Sequence, residues 1–261
     1  MAFDGVKSLG VASPYDFPVV MVGGFPTASV TRKQLAQWMV RDCLAARADR
    51  DNWIPKTVFS SNGQGIALAG QDAAFAEAMA EADIIHAGGM PVVFASRRTA
   101  HPLPERICTT DFFHDAAQAA SEHKLRFFIL GAKEEQNRAV VDVIRTLYPD
   151  VEIVGRHHGY FPPEDDKDVL WVALGKPRQE FWSIRNRENL KGVGWIKTCG
   201  GLYSFLTGDA PRAPGWMQAL GLEWLHRVAL DPKRLGWRYL TTNPYALYRL
   251  VRYTESKRFG V

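Results

Sequence analysis

Cysteine is scarce in this chain of 261 residues, and long apolar runs are absent. The three cysteines, Cys43, Cys108 and Cys199, are widely spaced and form no CxxC pair, which favours reduced, buried thiols over disulfides or a zinc site. No apolar stretch reaches the roughly 18 to 20 residues that a membrane span requires. The segment Met1 to Pro18 also lacks the basic start and apolar core of a secretory signal. We therefore expect a cytoplasmic protein without a metal site.

The charge of the chain is distributed unevenly. Hydrophobic residues make up 46% and charged residues 23%, as in ordinary globular proteins. The formal charge is +4, yet residues 210–261 hold nine Lys or Arg against three acids. All net positive charge therefore belongs to the C-terminal part. We predict a main domain at 1–209 and a basic appendage at 210–261, with the boundary near Gly208 to Pro214.

The appendage has the pattern of a basic amphipathic helix. Between Pro244 and Arg258, tyrosines and aliphatic residues are interleaved with arginines and a lysine. Such a helix suits an anionic membrane surface, and we expect peripheral association with the inner face of the cell membrane. A packed helix with a solvated basic face would show the same pattern. Trp216, Trp224 and Trp237 fit either a core of the appendage or a belt at the membrane interface. The main domain has no nucleic-acid-binding motif, so we expect no nucleic-acid partner.

Short apolar runs alternate with helical patterns along the main domain. This alternation predicts an α/β fold with a mostly parallel sheet covered on both faces, whose ligands bind beyond the carboxyl ends of the strands. Thr31 is a good N-cap for the first helix. The strands are predicted at 18–22, 57–60, 126–130, 151–154, 169–174 and 193–198, and helices at 31–46, 72–82 and from Gly131 to Tyr148.

The segment Gly175 to Glu180 joins a predicted strand to a predicted helix. Its glycine allows the backbone to approach a ligand closely, and Lys176 and Arg178 supply cations. Backbone N–H groups at such a turn suit an anion such as a diphosphate, while Gln179 and Glu180 can bind hydroxyl groups. A plain strand-to-helix turn with a solvated basic pair would look similar.

A series of ordered segments resembles one known family, the WecB/TagA/CpsF glycosyltransferases, or glycosyltransferase family 26. The resemblance spans nearly the whole chain. It is carried by 60–62, 82–90, 105–106, 129–131, 158–161, 175–180, 200–201, 208–214, 221–227 and 231–234. The sequence of residues 86–97 and 109–115 is most similar to that of exopolysaccharide members of the GumM type.

This resemblance implies an inverting transfer of a sugar from a UDP-sugar to a polyprenyl-diphosphate-linked glycan, with a β-linkage as the product. It implies a Rossmann-like fold, a C-terminal appendage that helps to complete the site, and a metal-independent reaction without a cofactor. The GumM-type segments favour glucose or a related hexose as the donor sugar. Family members also associate, so a homo-oligomer is possible.

The resemblance further assigns roles to residues of this chain. Ser60, Asn62 and Arg106 match pocket positions for sugar hydroxyls, with Ser60 where a threonine is usual, and Gly131 belongs to a matching segment. Lys176, Gln179 and Glu180 match the UDP-binding turn. Arg227, Arg234 and Arg238 match arginines that stabilise the leaving UDP, since guanidinium groups bind diphosphate oxygens bidentately. Contact with a membrane surface or with solvent is the alternative for these three.

One position departs from the family pattern. Gly88 stands where the family has the aspartate generally proposed as the catalytic base, and glycine cannot accept a proton. His86 and Asp111 are the nearest substitutes. His86 could instead be satisfied by backbone hydrogen bonds, and Asp111 could be a helix N-cap. The chain could also be an inactivated transferase, or one in which the base matters less than stabilisation of UDP. A non-catalytic subunit that binds a nucleotide sugar or a lipid-linked glycan is therefore the alternative function.

Overall fold

The structure is a computed structural model that describes residues 17–159 and 167–256. Tyr160 and Phe161 of the sequence motifs lie outside the described residues, as do Lys257 and Arg258 of the basic tail. The strands are β1 (Val19–Val22), β2 (Phe25–Ala28), β3 (Lys56–Ser61), β4 (Ile84–Ala87), β5 (Arg126–Gly131), β6 (Glu152–His157), β7 (Val169–Ala173) and β8 (Trp195–Thr198).

Helices connect and cover these strands. They are α1 (Arg32–Ala48), α2 (Gly63–Ala69), α3 (Ala73–Ala80), α4 (Met90–Ser96), α5 (Thr109–His123), α6 (Glu134–Leu147), α7 (Arg178–Asn186), α8 (Leu202–Leu206), α9 (Gly215–Ala219), α10 (Glu223–Leu230) and α11 (Trp237–Arg252). A short 3₁₀ segment covers Arg187–Asn189, and a π-helical segment covers Pro232–Gly236.

Six of the strands form one parallel sheet in the order β4-β3-β8-β7-β5-β6. The predicted parallel α/β fold is confirmed. The last strand of the chain, β8, lies between β3 and β7, so the turns that follow these three strands are neighbours. The first predicted strand instead pairs with β2 in a separate antiparallel hairpin.

Each face of the sheet is covered by its own set of apolar side chains. One face carries Trp171 and Trp195 and packs against α1, α5 and α6. The other carries Phe59, Phe128 and Leu170 and packs against helices that include α2, α3 and α7. Both faces of the strands are buried, as expected for parallel sheets.

Local sequence signals account for the start of several helices. Thr31 caps α1 with a full capping box, because its hydroxyl accepts from the Gln34 N–H and the Gln34 side chain accepts from the Thr31 N–H. Asn62 and Asp72 cap α2 and α3 with a single bond each, because their side chains accept from the Gly65 N–H and the Phe75 N–H. The alternative reading of Asp111 as an N-cap is wrong, because α5 begins two residues earlier and has Cys108 at its N-cap.

The C-terminal helix returns to the beginning of the chain. Ala246 and Leu250 of α11 are buried, and α11 packs against α2. Beyond α11, the Tyr253 carbonyl accepts from the Gly24 N–H at 2.9 Å, and the Glu255 N–H donates to the Met21 carbonyl at 3.0 Å. We call this set of backbone contacts the terminal clasp.

Candidate functional site

Three turns meet at the carboxyl ends of β3, β8 and β7. Gly175 (φ +77°) follows β7 and Gly200 (φ +52°) follows β8, and both adopt the left-handed conformation that favours glycine. Among the described residues, a Cβ atom at either position would meet no atom within 4 Å. Both turns are therefore open within the described part of the chain, at the edge of the sheet where Asn62 follows β3. We call this region, with the turn 175–180, the strand-end site.

Gln179 connects two of these turns. Its side-chain oxygen accepts from the Gly200 N–H at 3.1 Å, and its amide nitrogen donates to the Glu180 carboxylate at 3.0 Å. The side chain is almost fully buried. In this structure Gln179 fixes the spacing of the β7 and β8 turns, and its contact with UDP stays a prediction.

Lys176 and Glu180 form a buried ion pair in the same turn. The Lys176 Nζ atom lies 2.9 Å from a Glu180 oxygen and 3.5 Å from the Ser60 carbonyl oxygen. Glu180 is fully buried, and its second carboxylate oxygen has no hydrogen-bond partner. Lys176 is thereby held over the end of β3, where a ligand phosphate could reach it. A substrate hydroxyl could reach Glu180 only if the turn opened.

One lysine in the middle of the sheet was not among the site residues predicted from the sequence. Lys197 on β8 is fully buried, and its Nζ atom donates to the Thr198 carbonyl at 2.8 Å. Burial, as the largest cause, lowers the pKa of Lys197 to about 7, and Lys176 acts in the same direction. A lysine inside the apolar run 193–199 was the available signal, because long charged side chains are rarely buried without a partner.

His86 lies fully buried on β4 with its ring 6.4 Å from that of Phe112. Neither ring nitrogen has a hydrogen-bond partner. Burial and then the Lys197 charge lower the pKa of His86 well below its usual value. The Ile107 carbonyl opposes this shift, although its geometry is not that of a hydrogen bond. Among the described residues, the interpretation of His86 as a histidine satisfied by backbone hydrogen bonds is not supported by the geometry of its ring nitrogens.

Gly88 follows β4 beside Ser60. A Cβ atom at Gly88 would lie 1.9 Å from the Ser60 Oγ atom and 3.3 Å from the Ser61 carbonyl oxygen. Any larger residue at position 88 therefore requires Ser60 to change its rotamer. A side chain is excluded more strongly at position 131 than at position 88. A Cβ atom at Gly131 would lie 2.5 Å from the Ala173 carbonyl oxygen, which is part of the backbone. Its absent side chain lets β5 and β7 end side by side.

A network of arginines and carboxylates joins Arg106 and Asp111 to the predicted appendage, residues 210–261. Arg106 binds the Glu223 carboxylate at 2.7 Å and the Gln218 side chain at 2.8 Å. Arg212 binds Asp111 at 2.9 Å and Gln218 at 2.6 Å. Arg106 is thus held by the appendage here. Asp111 would have to weaken its ion pair with Arg212 before it could accept a proton.

Two of the predicted appendage arginines have no carboxylate partner within the described part of the chain. Arg227 lies 5.7 Å from the ring of Phe205 on α8, which also receives Arg212 at 5.8 Å. Arg238 lies 5.0 Å from the Tyr239 ring, and its Nε atom is buried without a hydrogen-bond partner. The Arg234 side chain lies outside the described residues. Arg227 and Arg238 are cations that remain available to an anion.

The outer surface of the appendage is apolar as well as basic. Of the sixteen exposed large apolar side chains in the described residues, eleven lie at 216–253. Trp237, Leu240, Leu247 and Val251 form one stripe on α11 at helical spacing. Helix α11 packs on α2 and also presents an unburied apolar stripe, and its contact with a membrane stays a prediction. Among the described residues, no helix is both long and apolar enough to cross a membrane.

A parallel sheet with glycine turns and cations at its strand ends places the protein among α/β proteins whose ligands bind at that edge. The chain belongs to the glycosyl transferase WecG/TagA/CpsF family, whose sequence profile matches residues 20–259. The family prediction made from the sequence is confirmed.

Two curated bacterial relatives have the same name, N-acetylglucosaminyldiphosphoundecaprenol N-acetyl-beta-D-mannosaminyltransferase. The protein from Bacillus subtilis (strain 168) is 32% identical over 213 residues, which cover 77% of this chain and 82% of the relative. The protein from Staphylococcus aureus (strain MRSA252) is 29% identical over 205 residues, covering 75% and 79%.

Proposed function

We propose that the protein transfers a hexose from a UDP-sugar to a polyprenyl-diphosphate-linked acceptor at the membrane surface, with inversion to a β-linkage. Family membership supports a glycosyl transfer. The names of the relatives support a lipid-diphosphate acceptor and a β-linked product. The donor sugar is proposed as glucose or a related hexose for use in an exopolysaccharide or another cell-surface polysaccharide.

The observation that carries this proposal is an open, glycine-lined turn that holds Lys176, together with two appendage arginines that lack carboxylate partners among the described residues. Lys176 lies beside the Gly175 turn, and Arg227 and Arg238 are available from the appendage. The leaving UDP gains negative charge as the glycosidic bond to the donor breaks. Cations held in place before the reaction stabilise that charge without reorganisation.

The acceptor hydroxyl must lose its proton during the transfer, and Gly88 offers no group to take it. Asp111 is paired with Arg212, and the His86 ring is fully buried. The chemistry that this chain supports is therefore dominated by stabilisation of the leaving diphosphate. A subunit that binds the nucleotide sugar without turnover remains the second candidate, and Gly88 is the observation that favours it.

The exposed stripe of α11 supports attachment to a membrane. Its apolar side chains can enter the headgroup region while the nearby arginines bind anionic lipids. Such attachment would bring a lipid-linked acceptor to the protein. Localisation at the cytoplasmic membrane face is part of the same proposal.

Turnover with defined substrates tests the proposal. The full chain is incubated with UDP-glucose or UDP-N-acetylmannosamine, a short lipid-diphosphate-linked sugar and anionic vesicles, and both UDP and glycolipid product are measured. Product from UDP-glucose supports the full proposal, and product from only the other donor corrects the sugar. UDP binding without product from either donor favours the binding subunit. Neither binding nor product would refute both functions.

A further inference from the structure

Lys197 is buried in the sheet without a counter-ion among the described residues. Its Nζ atom donates to the Thr198 carbonyl, and no carboxylate of the described residues lies within 4.0 Å of it. A charged amine in this position would lack both water and, among the described residues, a carboxylate partner. On β8 the fold therefore holds an amine whose charged form is energetically unfavourable. This amine lies directly before the turn of Cys199 and Gly200 in the strand-end site.

Charged and titratable groups surround Lys197, and they belong to several different elements of the fold. Lys176 and Glu180 come from the turn after β7 and from α7, and His86 comes from β4. Cys108 precedes α5, and Cys199 follows β8. The charges of Lys176 and Glu180 offset each other at 2.9 Å, although the second Glu180 carboxylate oxygen has no hydrogen-bond partner among the described residues. Burial lowers the pKa of His86 well below its usual value and raises the pKa of the Cys199 thiol to about 12. No neighbouring charge is therefore left over to offset an ammonium group on Lys197.

A bound diphosphate would change this balance. The turns that would hold it, at Gly175 and Gly200, border the buried cluster, and Lys176 already touches both the turn and the cluster. A diphosphate brings two or more negative charges. In a poorly solvated environment such charges act over several ångströms with little screening. They would favour the charged form of a nearby amine.

We infer that Lys197 takes up one proton from solvent when a diphosphate ligand binds at the strand-end site. The inference rests on the proposed function, which supplies the diphosphate. The neutral amine becomes an ammonium ion, no other bond is made or broken, and the proton returns to solvent when the ligand leaves. Lys197 is thus a positioning residue whose charge is present only while the diphosphate is bound.

Proton uptake can be measured directly by calorimetry. UDP is titrated into the full chain at pH 8 in two buffers that differ in ionisation enthalpy. We expect uptake of roughly one proton per UDP bound. Uridine, which has no diphosphate, should bind without uptake. The terminal phosphate of UDP can only release a proton when cations bind it, so its contribution has the opposite sign. The affinity for UDP should fall roughly 25- to 50-fold between pH 7 and pH 9, because close to one proton is taken up on binding over most of this window.

Variants at position 197 identify the group that takes up the proton. Lys197→Met removes the amine, and Lys197→Gln keeps a donor for the Thr198 carbonyl. In both, UDP should bind more weakly, without uptake and with a flat pH profile. Lys33→Met, at an exposed lysine on α1, is the matched control and should behave as the wild type.

The outcomes separate this inference from the proposed function. If the wild type does not bind UDP, the proposed function fails, and the inference fails with it. If UDP binds without proton uptake, or if uptake persists in the Lys197 variants, only the inference is overturned. Should neither variant fold, the wild-type profile decides, because a UDP affinity that is flat between pH 7 and pH 9 contradicts the inference.

Discussion

The Ser60 hydroxyl oxygen occupies the space of a side chain at position 88, since it lies 1.9 Å from where a Cβ atom of residue 88 would stand. The two positions therefore cannot be changed independently. A carboxylate introduced at Gly88 must first displace the Ser60 hydroxyl. Its path is limited further by the Ser61 carbonyl at 3.3 Å.

This relationship determines how the missing base should be restored. We expect Gly88→Asp alone to gain little, because of the clash. The double variant Gly88→Asp with Ser60→Ala should raise the turnover about 10²- to 10⁴-fold over the wild type, the usual contribution of a positioned base. UDP release and glycolipid product are the measurements, and Ser60→Ala alone is the control. Equal turnover in all four proteins would show that the base is dispensable or lies elsewhere.

Burial of Lys197 should lower the stability of the fold. Its pKa is about 7 in the folded chain and about 10.4 in an unfolded one, so the unfolded state binds more protons between these values. The free energy of unfolding of the wild type should therefore rise with pH across this window. Lys197→Met should abolish the rise and add on the order of 2–4 kcal/mol at pH 7. Urea denaturation from pH 7 to 10 tests this, with Lys33→Met as the control.

Asp168 should have the opposite effect at low pH. It is buried at the amino end of β7, where Arg47 binds it at 2.8 and 2.6 Å and Arg126 at 3.2 Å. Burial alone would raise the pKa of Asp168, but the hydrogen bonds from Arg47 and Arg126 outweigh it and the pKa is lowered. Its stabilisation is complete above the unfolded pKa of about 3.9 and is lost as the pH falls through the lower folded value.

Asp168→Asn should accordingly cost about 3–5 kcal/mol at pH 7, because two guanidinium groups lose their charge partner. The cost should shrink as the pH approaches 3. Urea denaturation at pH 7, 5 and 3 measures both effects. Asp150→Asn, an exposed position without such contacts, serves as the control. A loss for Asp168→Asn that is constant with pH would rule out the ion-pair explanation.

Membrane attachment can be tested without disturbing the core. Truncation at Pro244 would also remove Ala246 and Leu250, which are buried. The triple variant Trp237→Ser, Leu240→Ser and Leu247→Ser instead changes only exposed residues of the α11 stripe. Each lost apolar side chain removes up to about 1.5–3 kcal/mol of the free energy gained by burying it in the membrane. Binding to anionic vesicles should therefore fall at least ~10-fold.

Vesicle co-sedimentation at low salt is the measurement. Leu147→Ser, at an exposed leucine of similar exposure on α6, is the matched control and should bind as the wild type. Equal loss in the control and in the triple variant would mean that general hydrophobicity, rather than the α11 stripe, determines the binding.

Local patterns predicted much of the fold. The Thr31 cap and the apolar runs around 126–130 and 169–174 form where the sequence indicates, since these signals depend on near neighbours. The interpretation of Asp111 as an N-cap was wrong, because Asp111 lies in the first turn of α5 and Cys108 is at the cap. The insertion of β8 between β3 and β7 depends on contacts between distant segments, which residue spacing does not reveal.

The candidate site divides in a similar way. Lys176 and Gln179 belong to one continuous turn, and their proximity to each other follows from the sequence. Burial, however, is a property of the whole fold, so the sequence could not show that Glu180 and His86 are enclosed. The same holds for Lys197. The unfavourable free energy of burying its charged amine can be recognised only when the folded structure shows that no carboxylate of the described residues is paired with it.

The terminal clasp affects how the protein is made. Gly24 and Met21 of the first hairpin receive their partners from Tyr253 and Glu255, more than 200 residues later in the chain. During synthesis, the hairpin leaves the ribosome long before these partners exist. The domain can complete this edge only after nearly all of the described chain has emerged, so a ribosome stalled before α11 would hold a protein with an unfinished edge.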